Sequence, residues 1–200
     1  MSRTATTIGP LDHGRRMSLE EFDQAEGQPG HGYELSRGEI VVVEVPNPRH
    51  LAQVNALRKQ LAAYDLSHPG TIHSVAGGGE CKIVVAPTSS ERHPDLAIYK
   101  TPPPDEPDLW ASWIPEILIE VVSPSSVQRD YVEKREDYLA FGVQEYWIVD
   151  ADRGEMLVLR RSRGQWAERV IRPPVTYRTH LLPGFLLATA PVFEAGSQGD

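Results

Sequence analysis

Pro115-Glu116-Ile117-Leu118-Ile119-Glu120-Val121-Val122-Ser123-Pro124, followed by a helical segment carrying Lys134, is the stretch on which the reading of this chain turns. It is an apolar run of strand length with a carboxylate set inside it. A second such run, His93-Pro94-Asp95-Leu96-Ala97-Ile98-Tyr99, comes shortly before and holds Asp95 in a similar setting. An ionised carboxylate at the edge of a core is costly unless a cation or strong donors compensate it. Asp95, Glu120 and Lys134 therefore read together as a candidate metal-dependent hydrolytic site.

Strand alternation puts Glu116, Leu118, Glu120 and Val122 on one face, and Asp95, Ala97 and Tyr99 on one face of the earlier run. If the strands are neighbours, the two carboxylates meet at one end of the sheet. They would offer hard oxygen ligands suited to magnesium or manganese rather than zinc. On the following segment, Tyr131, Lys134, Tyr138 and Phe141 recur at helical spacing, which puts the lysine on an aromatic inward face. Asp130, Glu133 and Asp137 are expected on the solvent face. Each residue also has a structural alternative: Asp95 a turn residue, Glu120 an ion-pair partner of Lys134, and Lys134 a stem lying over aromatics with its charge in water.

Outward from this centre, residues 1–16 lack periodicity and read as a disordered lead, with the domain spanning 17–195 and a flexible tail at 196–200. Ser18 and Glu21 form a capping box for a helix from Leu19 to about Ala25. Tyr33 to Val45 reads as a hairpin turning at Arg37-Gly38. Asn47 and Pro48 open a helix whose stripe is Leu51, Val54, Leu57, Leu61 and Tyr64. Thr71–Val75 and Cys81–Val85 read as strands joined through Gly77-Gly78-Gly79, a flexible turn. A second capping box, Ser125 with Gln128, opens the helix that stops at Gly142. Glu145–Asp150, Glu155–Arg161 and Gln165–Ile171 read as a run of strands. The order of elements predicts an α/β fold, a mixed central sheet with helices packed on it.

Two hundred residues, 40% of them hydrophobic, suit a single domain. The lone Cys81 cannot form an intrachain disulfide, and no apolar run approaches the roughly 18 residues of a membrane span. No membrane association and a cytoplasmic location are the expectation. A net charge of −8 is not the usual footprint of a nucleic-acid binder, although Arg153 to His180 is locally basic. The seven histidines lack zinc-ligand spacing.

The segments Met17 to Phe22, Tyr33-Glu34-Leu35, Pro48-Arg49-His50, Pro94-Asp95-Leu96, Ile119 to Ser125, Lys134 to Tyr138, Glu145 to Asp150 and Leu182 to Phe185 resemble those of the Uma-type restriction-endonuclease family, within the PD-(D/E)XK nuclease superfamily. The resemblance covers about Met17 to Phe193. It implies a restriction-endonuclease-like fold in which Asp95 and Glu120, with the carbonyl of Val121, bind a divalent cation, Mg2+ or Mn2+. Glu34 matches a further acidic position. The superfamily pattern would place a lysine where this chain has Val122; the Uma branch places it on the next helix, which Lys134 matches, with Lys82 as the fallback.

The expected activity is endonucleolytic hydrolysis of phosphodiester bonds in nucleic acid, DNA foremost. Arg49, His50 and Tyr138 are the expected substrate contacts, and a homodimer is the expected assembly. The rival expectation is a non-catalytic dimeric module that binds nucleic acid or protein on the same scaffold. A third is hydrolysis of a small phosphoester.

Overall fold

A computed structural model describes residues 6–197 of the chain. Strand β1 (Thr7–Ile8) precedes helix α1 (Leu19–Asp23), β2 (Glu26–Gly27), β3 (Gly32–Ser36) and β4 (Glu39–Val43). The long helix α2 (Pro48–Ser67) leads to β5 (Ser74–Ala76), β6 (Ile83–Val85), β7 (Ser90–Arg92), β8 (Leu96–Tyr99) and the short α3 (Leu109–Ser112). Then come β9 (Ile117–Val121), α4 (Lys134–Phe141), β10 (Glu145–Asp150), β11 (Glu155–Ser162) and β12 (Gln165–Ile171). The chain closes with β13 (Thr176–Tyr177), β14 (Leu187–Ala188) and α5 (Thr189–Ala195).

Six strands form the main sheet in the order β12-β11-β10-β9-β8-β5, in which β9 and β10 run parallel and the other neighbours antiparallel. A second, four-stranded sheet has the order β4-β3-β7-β6. Alternation along β8 and β9 feeds two cores. Leu96, Ile98, Ile117 and Ile119 pack with Leu57, Leu61 and Tyr64 of α2 on one face. Ala97, Tyr99 and Leu118 pack with Tyr138 of α4 and with Ile83 and Val85 of the second sheet on the other. Each fully buried aliphatic side chain contributes roughly 1.5–3 kcal/mol, so both faces are anchored.

The capping box at α1 is present: Ser18 Oγ accepts from the Glu21 N–H, and the Glu21 carboxylate accepts from the Ser18 N–H. The β3–β4 hairpin turns at Arg37-Gly38 with φ of 53° and 77°, the left-handed pair of a tight two-residue turn. Asn47 caps α2 through the His50 N–H.

Several expectations need correction. Within the supposed disordered lead, Thr7–Ile8 pair with Glu26–Gly27, and Ile8 is buried beside Met17, Phe22, Leu35 and Ile40. One apolar side chain in a polar stretch sufficed to dock it. Residues 1–5, and 198–200 of the proposed tail, lie outside the described residues. Leu51 is exposed, because the buried stripe of α2 runs through Gln53, Leu57, Leu61 and Tyr64 and turns Leu51 to solvent. The strands flanking the triple glycine belong to different sheets, β5 to the larger and β6 to the smaller.

The Ser125–Gln128 capping box is also absent. Ser126 Oγ instead accepts from the Ser123 N–H, and the helix opens through a π-helical turn, Arg129–Glu133, before α4. That wider turn shifts the helical phase, so Asp130 and Asp137, expected in solvent, are buried, at 1% and 0% exposure.

Candidate active site

The antiparallel register Leu96↔Ile119 places Asp95, one step beyond the ladder, opposite Glu120 on β9. Asp95 Oδ2 accepts from the Val121 N–H at 2.7 Å and lies 3.0 Å from His50 Nε2 at the start of α2. Its other oxygen, Oδ1, has no protein partner among the described residues. Gly77 sets the position of this strand end. A Cβ there would stand 2.0 Å from the Asp95 carbonyl oxygen, so only glycine permits the approach. The triple glycine thus does more than turn the chain.

Glu120 is 3% exposed and lies 3.0 Å from Lys134 Nζ, while its Oε1 accepts from the Tyr138 hydroxyl at 2.6 Å. Lys134 Nζ is also 3.1 Å from Asp130 and 4.0 Å from Glu34. Glu34, on β3, accepts from the His93 N–H and meets Arg92, which is fully buried and 2.8 Å from Asp137. Glu34, Asp95, Glu120, Asp130 and Lys134 line one cleft of about 150 Å³, together with Val121 and His50.

Five carboxylates (Glu34, Glu44, Asp95, Glu120, Asp130) face two permanent cations (Arg129, Lys134) across this cleft. The imbalance shows in the titration of the groups. Burial pushes Glu120 up to about 8; Lys134 opposes this, but Asp95, Asp130 and Glu34 repel a further negative charge. Burial would discharge Lys134, yet Asp130, Glu120, Glu34 and Asp95 outweigh it and hold the lysine charged. One lysine shared among four acids is fully charged, while its acids are not all satisfied. Burial likewise opposes ionisation of Glu34, but Lys134, Arg92 and the His93 N–H hold it below the usual range. Burial opposes a charged His50, and the hydrogen bond and charge of Asp95 overcome it.

The donor set fits a hard cation. Among the described residues no three histidine, cysteine or acidic side chains form a ready-made cage. Mg2+ does not require one, since it keeps waters and takes one or two carboxylates plus substrate phosphate. Asp95 and Glu120 would be the carboxylates for such an ion, and the negative excess of the cleft would favour it.

Of the expected substrate contacts, Tyr138 is fully buried and holds Glu120, so it positions a carboxylate and cannot reach a substrate. Arg49 lies in an adjoining hollow, 3.4 Å from Asp152. His50 touches Asp95 itself. Lys82 bonds Asp23 and Glu91 and does not line the cleft. Sequence reading missed Asp130 and Arg92 as members of this network. The one-residue enlargement of the helical turn hid the first, and the second stood in a short polar strand, Ser90-Glu91-Arg92, without periodic context.

A mixed sheet carrying paired carboxylates at its end, faced by a helix-borne lysine, belongs to the restriction-endonuclease-like class of α/β protein. Residues 19–190 match the Uma2 family, described as "Putative restriction endonuclease", and the chain belongs to that family. Among solved structures, a crystal structure described as a putative nuclease belonging to DUF820, from Anabaena variabilis, superposes with a TM-score of 0.69 at 17% identity. It covers 90% of this chain and 99% of its own. No curated protein matches the chain. No helix among the described residues is long and apolar enough to cross a membrane.

Proposed function

We propose that the protein is a divalent-metal-dependent endonuclease that hydrolyses phosphodiester bonds, with DNA as its substrate. The observation that carries this reading is the acid pair, Asp95 and Glu120, in a cleft where five carboxylates share one buried charged lysine and one arginine. Family membership supports the reaction class. Asp95 and Glu120 would hold Mg2+ or Mn2+, with the Val121 carbonyl as a further ligand and Glu34 completing the acidic wall. The cation would supply Lewis-acid charge for the phosphate oxygens.

The protein's own part is positional. Tyr138 and Lys134 fix the Glu120 carboxylate. The Val121 N–H and His50 fix Asp95 so that one oxygen stays open. Lys134, held charged, presents an ammonium towards the charge that develops on phosphate. The same reading takes the protein to act in the cytoplasm as a homodimer; light scattering that returns a monomer at micromolar concentration would overturn the dimer.

Incubation with supercoiled plasmid, single-stranded DNA and RNA in Mg2+ or Mn2+ tests the activity. Cleavage should vanish in chelator and in Asp95→Ala and Glu120→Ala. Undiminished cleavage in both variants would sink the assignment. The rival non-catalytic module draws on the net charge of −8. It requires salt-dependent DNA binding that persists in chelator without any cleavage.

A further inference from the structure

We propose that Arg129 is the phosphate-binding cation of the cleft, taking a backbone phosphate that flanks the one meeting Asp95 and Glu120. This deepens the nucleic-acid reading above and rests on it. Arg129 lines the central cleft and also the groove that adjoins it, and Ser125 is likewise shared between the two. Among the described residues its guanidinium is engaged by no carboxylate and donates to no other group. Its neighbours differ: Arg37 pairs with Glu136, Arg16 with Glu39, Arg135 with Glu168, and Arg92 with Asp137.

A half-buried arginine left unpaired in an acid-rich cleft is unusual, and each acid of the cleft has another partner, Glu34 meeting Arg92 and the His93 N–H. Asp130 and Glu120 are held by Lys134, Asp95 by His50 and the Val121 N–H, and Glu44 by the Ser125 hydroxyl at 3.1 Å. Lys134 is 5% exposed and shared by those acids, so it has little capacity for a second anion. A polyanion approaching five carboxylates needs a local cation, and Arg129 is the cleft-lining group free to act as one. Its planar fork suits two phosphate oxygens at once.

The π-helical turn explains the placement. The insertion directs Asp130 inward and leaves Arg129, its neighbour in sequence, at the cleft's rim; such turns recur at functional sites. Beyond Arg129 the adjoining groove is lined by His13, Arg16 and Arg37 together with Glu39 and Glu133, and its two other arginines are already paired, so Arg129 is the cation it shares with the cleft.

Fluorescence anisotropy of a labelled single-stranded oligonucleotide, in Mg2+ over a salt series, tests this in a Glu120→Gln background that binds without cutting. Adding Arg129→Ala should weaken binding about tenfold and reduce the slope of log affinity against log salt by about 0.7, the value for one lost phosphate contact. Arg129→Lys should keep the slope and lose part of the affinity. Lys59→Ala, which removes an equal charge from an exposed position on α2, should change neither. If Arg129→Ala behaves as Lys59→Ala while the parent binds, the phosphate site is overturned and the nuclease reading stands. If the parent shows no salt-dependent binding and the wild type cuts no nucleic acid, both fall.

Discussion

In the absence of metal, Glu120→Gln should make the protein more stable at alkaline pH, although it removes one partner of a buried ion pair. Burial and three neighbouring acids raise Glu120 from an ordinary 4.5 to about 8. At ~1.4 kcal/mol per unit this bounds the penalty of ionising it at roughly 5 kcal/mol. The attraction of Lys134 is already within that penalty, and the substitution further weakens the charge-assisted bond from Tyr138, about 1.5–3 kcal/mol. The net gain is about 2–3.5 kcal/mol, or ~4–14 °C in Tm for a chain of this size.

The sign follows from the direction of the shift. A carboxyl whose folded value lies above its unfolded value loses stability as pH rises from about 4.5, and the loss is complete above about 8. The advantage of the glutamine should be absent near pH 4.5 and greatest near pH 9, about a unit past the folded value, where it saturates. Thermal unfolding in chelator across that range is the assay. Added Mg2+ should then raise the wild-type Tm and leave the variant unmoved. A loss of about 3–5 kcal/mol in the variant at every pH would refute the reasoning, since that is the signature of a purely structural ion pair broken on one side.

Lys134→Met should abolish cleavage and cost about 3–5 kcal/mol in urea denaturation, because it leaves Glu120 and Asp130 buried without a cation; an unchanged midpoint would contradict the shared-lysine account. Arg92→Met should cost a similar ~3–5 kcal/mol, as Asp137 and Glu34 lose their buried partner, and a Tm within a degree or so of wild type would exclude that role. Gly77→Ala should destabilise by about 1–3 kcal/mol and reduce cleavage through displacement of Asp95, whereas Gly79→Ala, which meets open space, should do neither. Equal behaviour of the two glycine variants would remove the positional argument for Gly77. Tyr138→Phe should leave the fold intact at a cost of about 1–2 kcal/mol and lower the cleavage rate; full activity would show that the hydroxyl does not position Glu120.

Much of the site was legible where the signal was local. An isolated carboxylate in an apolar strand is a conflict visible in one dimension, and both Asp95 and Glu120 announced themselves that way. Lys134 was readable because helical periodicity set it among aromatics. The same periodicity misled for Asp130 and Asp137, since the π-helical turn at Arg129–Glu133 breaks the phase from which faces are assigned. Arg92 and Gly77 gave no local signal, because their importance lies in contacts with residues distant in sequence or in another sheet.

The sequence by itself determined the strand faces, the hairpin and helix caps, and the pair of carboxylates with the following lysine, because each depends on residues within a few positions of one another. Only the tertiary structure decided that five carboxylates share one cleft with two cations, that Lys134 serves several acids at once, and that Arg129 has no side-chain partner among the described residues. Electrostatic balance is a sum over everything within several ångströms, and four separate segments of the chain must be brought together before that sum exists.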